Sequence, residues 1–257
     1  MGFSNPLIEE GFSIYLQRKG ADRIYLLYCF IMGAVLFLWW PKNNYIYFLE
    51  FKVVPSTFTL VAISALGAIT FLSARFGTEG SGRDEFHPLS DWINLTPVPI
   101  RKLLFGKIGV SFGHTLFLLV LGMPFIVMAG SPSGISRHGL AASTAVLLSC
   151  CFAYRIVGVF LTSVLDEHPL LLKLLLWAII LGLVLLPMTL LPPVSPVHAL
   201  LSIINPENAE YGDLTIAGTR LRYYMAAILG HCVLSGVAAL LLLARLFTLR
   251  IAKEHER

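Results

Sequence analysis

A chain of 257 residues with 56% apolar and only 13% charged side chains lies outside the composition of water-soluble domains, where about 25% charged is usual. Together with a mean hydropathy of +0.77, this excludes a soluble enzyme. The net charge of +4 follows from where the basic residues sit relative to a membrane, as shown below, so it is no argument for a nucleic-acid partner. A helix crossing a hydrocarbon core needs roughly 20 mostly apolar residues, because its backbone amides find no water there.

Residues 3–20 come first. At about 100° per residue, Leu7, Ile8, Phe12, Ile14, Tyr15 and Leu16 fall on one arc and Glu9, Glu10, Ser13 and Gln17 on the other. The pattern predicts an amphipathic helix in the cytoplasmic interface, the alternative being a helix that only caps the bundle. The first apolar span, residues 24–40, ends in Trp39-Trp40-Pro41-Lys42 and has no small-residue cleavage site, so it is expected to be a retained helix and not a signal peptide. A second span covers residues 54–74.

Between the second and third spans lies the longest cytoplasmic stretch, residues 79–100. Gly77 and Gly82 have phosphate-loop spacing, but Arg83 and Asp84 follow where such a loop needs Lys and Ser or Thr. No other Walker-type signature is present, so nucleotide hydrolysis of that kind is not expected of this chain. Pro88 suits a first helical turn, with Leu89, Trp92 and Ile93 on one face and Ser90, Asp91 and Asn94 on the other. The short amphipathic helix stops at Thr96-Pro97-Val98-Pro99. It reads either as a docking knob for a cytoplasmic partner or as a surface connector, with Trp92 in the second case an interfacial anchor.

Four further spans follow, at residues 103–129, 140–165, 171–191 and 222–247. The Gly-Ser-Pro-Ser-Gly-Ile-Ser-Arg run from Gly130 to Arg137 is the turn between the third and fourth. Asp166 and Glu167 make a short cytoplasmic turn, either solvated or a second contact for a partner. Residues 192–221 start too apolar for a solvated loop (Val194, Val197, Leu200, Leu201, Ile203), so they are expected to re-enter the membrane or to lie flat on it. Six spans bring both termini to one side. Thirteen of the nineteen basic residues then lie on the face of the termini, five (Lys42, Lys52, Arg137, Arg220, Arg222) lie on the other, and Arg155 is inside a span. That bias places both termini in the cytoplasm. The expected fold is therefore an all-α integral membrane bundle forming one domain.

Inside the spans the polar residues stand out. Arg155 would lie some 15 Å from the cytoplasmic end of its helix at 1.5 Å per residue, where an ionised side chain costs at least ~2.5 kcal/mol and faces protein or water. It could snorkel, form an ion pair, lock two helices together, or meet an anionic substrate group. His114, His231 and Tyr154 fall at similar depth, and with Arg155 they are the candidates for a substrate pathway. No metal-ligand motif, paired carboxylates or activated nucleophile is apparent, and no metal or cofactor is expected to bind this chain. The four cysteines (Cys29, Cys150, Cys151, Cys232) all fall in spans without metal or redox spacing.

The run LTPVPIRKLLFGK at residues 95–107 resembles the segment after the second helix in permease subunits of type-2 ABC exporters. Asn5-Pro6 before the first amphipathic helix, Gly77-Thr78 after the second span and Asn205-Pro206 in the last external loop are also similar to that family, in the same order. The extra Gly-Ser-Gly after Glu79 departs from its tighter loop. The resemblance implies an ABC exporter permease in a bacterial cytoplasmic membrane, paired with a second permease, like or unlike itself. A cytoplasmic ATPase dimer, which carries ATP and Mg, would grip the coupling helix through Leu89, Trp92 and Ile93, with Arg83, Asp84, Glu85 and Asp91 at the rim and Asp166 and Glu167 as a second contact. It further implies short re-entrant helices around Asn205 and Pro206 as an outer gate, and an amphipathic or lipid-like substrate. A permease that moves an extracytoplasmic partner protein without transporting anything is the alternative; a membrane enzyme or scaffold is a third.

Overall fold

A computed structural model describes residues 21–40, 57–79, 99–165, 169–204, 213–216 and 219–255. The described chain is largely helical: α1 (Ala21–Leu38), α2 (Thr57–Glu79), α3 (Ile100–Gly130), α4 (Arg137–Val164), α5 (Pro169–Thr189), a 3-10 turn (Pro192–Val194), α6 (Pro196–Ile204) and α7 (Tyr223–His255). The interfacial helix expected at residues 3–20 lies outside the described residues.

Four of these helices are long and apolar enough to cross a bilayer: Ala21–Leu38, Arg101–Gly130, Arg137–Val164 and Tyr223–Thr248. Their outer faces agree with lipid as the solvent. Leu26, Phe30 and Phe37 on α1 and Val233, Leu240 and Leu241 on α7 are exposed, a density of bare apolar side chains that water would not tolerate and hydrocarbon does not penalise. The protein is a helical multi-pass membrane protein. At 33 residues α7 is about 50 Å long, more than a hydrocarbon core of ~30 Å, so its basic C-terminal turns extend past the apolar layer.

The bundle is organised around α4, which packs against α7, α2, α3 and α6. Of its membrane-length window 61% is buried, against 28% for α1 and for α7, which makes it the central helix. Ala142, Val146, Leu147, Cys150 and Tyr154 on α4 meet Tyr28 and Met32 of α1, Val61, Ala65 and Ile69 of α2, Leu118 and Ile126 of α3, and Ala227 of α7 in one core. Near the other end Leu103 and Leu104 of α3 pack on Leu242 and Leu246 of α7. Pro99 caps α3 by accepting the amides of Lys102 and Leu103. Ser136 caps α4, its hydroxyl accepting from the Gly139 amide at 3.0 Å. Gly134, at φ +67°, makes the turn between them in a conformation that favours glycine.

One end of the bundle gathers the last turns of α1 and α3, the first turns of α2, α4 and α7, and α6. Thr57 Oγ donates to the Trp39 carbonyl at 2.7 Å, the Phe58 amide to Ser133 Oγ at 3.1 Å, and His138 and Tyr224 meet at 3.4 Å. The stretch expected to be re-entrant from 192 to 221 begins at this end with the 3-10 turn and α6, whose Ala199 and Leu200 are fully buried. It then forms an antiparallel hairpin of β1 (Asp213–Ile216) and β2 (Thr219–Arg222), pairing Asp213 with Arg222 and Ile216 with Thr219. This hairpin is an addition to the all-α expectation; its four-residue strands are too short to give a period-2 signal against the apolar background.

The turn before α6 seats on a glycine. A Cβ on Gly230 of α7 would stand 2.8 Å from Val194 Cγ1, closer than packed carbons approach. Gly230→Leu is therefore expected to lift the Pro192–Val194 turn off α7, cost about 1–3 kcal/mol by overpacking, and raise protease cleavage within residues 192–222. Cleavage at the unaltered rate would show that this seat does not hold the turn.

Candidate functional site

The polar residues singled out in the spans converge on α4. Arg155 is the largest fully buried side chain among the described residues, at 0% exposure, so it does not snorkel to the interface. Its guanidinium donates to Nδ1 of His114, also fully buried, on α3. Nε2 of His114 meets the hydroxyl of Tyr25 on α1 at 2.9 Å, and the Tyr25 ring lies edge-on to Phe117 at 5.2 Å. The hydrogen-bond inventory fixes the direction of this chain. A guanidinium has no lone pair to offer, so Nδ1 must accept, the imidazole proton sits on Nε2, and Nε2–H donates to the Tyr25 oxygen. The tautomer follows from the partners, with no other input.

Tyr154, the preceding residue of α4, points about 100° away around the helix and reaches α7 instead. Its hydroxyl lies 3.0 Å from Nε2 of His231, while Nδ1 of His231 lies 2.8 Å from the Ala227 carbonyl. Nδ1 therefore donates to the carbonyl and Nε2 accepts from Tyr154. Two consecutive residues of the central helix thus tie it to two others, Arg155 to α3 and Tyr154 to α7, and His114 of α3 is tied in turn to Tyr25 of α1. A third, weaker tie is the contact of Cys151 Sγ with Thr70 Oγ of α2 at 3.7 Å.

Most other hydroxyls in the spans are satisfied by their own helix. Thr115 donates to the Ser111 carbonyl at 2.9 Å, Thr144 to Leu140 at 2.8 Å, and Ser149 to Val146 at 3.0 Å, the usual solution where no water is at hand. The hydroxyls of Tyr28, Ser73 and Ser143 are buried with no hydrogen-bond partner among the described residues, and that of Tyr28 lies over Gly122 of α3. All four cysteines are free thiols, Cys150 and Cys151 buried and Cys232 exposed on the lipid side. Among the described residues no group of His, Cys, Asp or Glu is placed to hold a metal ion.

Of the residues selected from sequence, Arg155, His114, Tyr154 and His231 are thus brought together, with each other as partners. Arg83, Asp84, Glu85, Leu89, Asp91, Trp92 and Ile93 of the coupling segment, Asp166 and Glu167 of the cytoplasmic turn, and Asn205 and Pro206 of the external loop lie outside the described residues. Tyr25 and Tyr28 were missed. The signal was present, two phenols three residues apart on one face of an otherwise apolar helix, but a tyrosine near a helix start also fits a membrane-interface belt.

The fold and this site define a class: a helical multi-pass membrane protein whose central helix is fastened to its neighbours by buried hydrogen bonds. No family model, curated protein or solved structure matches the chain to place it within a narrower group.

Proposed function

We propose that the chain is a six-span permease subunit of an ATP-driven ABC exporter, with both termini in the cytoplasm of a bacterial cell, acting with a second permease and a cytoplasmic ATPase dimer. The observation that carries the reading is the LTPVPIRKLLFGK run at residues 95–107, in its place between the second and third apolar helices and in order with Asn5-Pro6, Gly77-Thr78 and Asn205-Pro206. Two structural facts support it. Pro99 caps α3, so a force that reaches it acts on a membrane-length helix. Between α5 and α7 the described residues form a turn, a short helix and a hairpin, which suits a closing element.

Leu89, Trp92 and Ile93 are the proposed knob on the ATPase, with Asp166 and Glu167 a second contact. Trp92→Asp, which puts a carboxylate into an apolar socket, is expected to abolish co-purification of the ATPase. Undiminished binding and ATP turnover by the variant complex would remove the assignment.

One observation favours the second reading, in which the bundle transmits motion to an extracytoplasmic partner protein and carries no substrate. Arg155 bonds to His114 and Tyr154 to His231 inside a single bundle, all four buried, which favours a structural use of these groups over contact with an amphipathic or lipid-like cargo. Capture of a protein through residues 192–222, with no lipid enriched in the purified complex, would decide for transmission.

A further inference from the structure

We infer that the His114–Arg155 hydrogen bond is the joint through which movement of α3 reaches the central helix, an inference that rests on the ATPase-driven reading above. Residues 80–98 join α2 to α3, so force applied there enters both. The two helices are fastened to α4 very differently. Between α2 and α4 a hydroxyl and a thiol stand 3.7 Å apart, with apolar packing around them, and smooth apolar surfaces slide over one another in shear. Between α3 and α4 a buried guanidinium donates to a buried imidazole. Such a bond is directional and is strengthened by the low dielectric around it. A further polar contact of this pair, Thr144 Oγ with Met123 Sδ at 3.7 Å, is weak.

The position of the joint along α4 also matters. Arg155 is pinned to α3 and Tyr154 to α7, so α4 cannot turn about its axis without straining one tie or the other. A displacement of α3 is passed on as a displacement of α4 together with α7, whose first turns support the hairpin and the Pro192–Val194 turn. Tyr25, hydrogen-bonded to the far side of the His114 ring, holds the ring plane and so acts as a positioning residue.

The test uses the chain co-purified with its ATPase in lipid nanodiscs, with Cys29 and Cys232 replaced by Ser. Spin labels on Phe105→Cys (α3) and Arg137→Cys (α4) are each paired with one on Leu181→Cys (α5); all three positions are exposed. ATP with vanadate is expected to shift both distances in the otherwise native protein. In His114→Leu the α3 distance should still shift and the α4 shift should be lost, whereas His114→Gln, which keeps an acceptor for Arg155 and a donor for Tyr25, should restore it. The joint is overturned if α4 moves undiminished in His114→Leu, if nucleotide moves neither helix of the native complex, or if His114→Gln is as defective as His114→Leu. Absence of any co-purifying ATPase instead overturns the parent reading, and this inference with it.

Discussion

His114→Leu is expected to destabilise the folded bundle more than Arg155→Leu does, and the double variant is expected to be more stable than His114→Leu alone. The order follows from which charge stays behind. His114→Leu removes an acceptor from a cation that remains fully buried, and a hydrogen bond to a charged group is worth about 1.5–3 kcal/mol. Arg155→Leu also breaks the bond, but it deletes the ion whose burial was costly in the first place. What remains is a neutral imidazole lacking one donor and a smaller side chain in a large space. Interhelical hydrogen bonds within membranes average only ~0.6 kcal/mol in double-mutant cycles, with a maximum of ~1.7. A charge-assisted bond at 0% exposure belongs at the top of that range, so a coupling energy of about 1.7 kcal/mol is expected from unfolding of the four proteins in mixed micelles. A coupling near zero would mean that the two side chains are neighbours without being partners. Tyr25→Phe should cost less than either, about 0.6 kcal/mol, because the ring it steadies remains bonded to Arg155.

The helices were legible in the sequence because the constraint that creates them is local. A backbone in hydrocarbon must satisfy itself, so an apolar run of sufficient length is enough to place α1, α3, α4 and α7. Pairing of the helices was not legible, for a reason that lies in the solvent. In water a buried face is apolar and an exposed face polar, and the stripe reveals which way a helix points. In α3 the lipid-facing Phe112, Leu116 and Val120 are as apolar as the core-facing Leu118, Leu119 and Ile126, so no stripe exists. Arg155 and His114 each stood out as polar residues in apolar runs, yet nothing in the order of residues brought together two positions separated by 41 in the chain. Their meeting depends on how α3 and α4 are rotated, and that rotation is set by packing.

The packing itself makes a further prediction, at Gly122. A Cβ built there would overlap the Tyr28 hydroxyl, and Tyr28 is 2% exposed with Phe125 of α3 beside the neighbouring Gly33 of α1. Glycine is required at this point not by its backbone freedom but by the space the phenol occupies. Gly122→Leu is expected to push α1 away from α3 at a cost of about 1–3 kcal/mol, the range for overpacking a filled interior. The separation would also stretch the Tyr25–His114 bond, since Tyr25 lies one turn from Tyr28 on the same face of α1. Truncating the other partner tests the cause. Tyr28→Ala alone leaves a void lined by α1, α3 and α4, and costs less than a core aromatic would in a soluble protein, because the displaced side chain surrenders contacts with lipid-like neighbours and no protection from water. Combined with Gly122→Leu, it removes the overlap and fills that void, so the double variant should be closer to the native protein in stability than either single one. If Gly122→Leu were harmless alone, or if Tyr28→Ala failed to relieve it, the close approach of α1 to α3 would not be what fixes Tyr25 on His114.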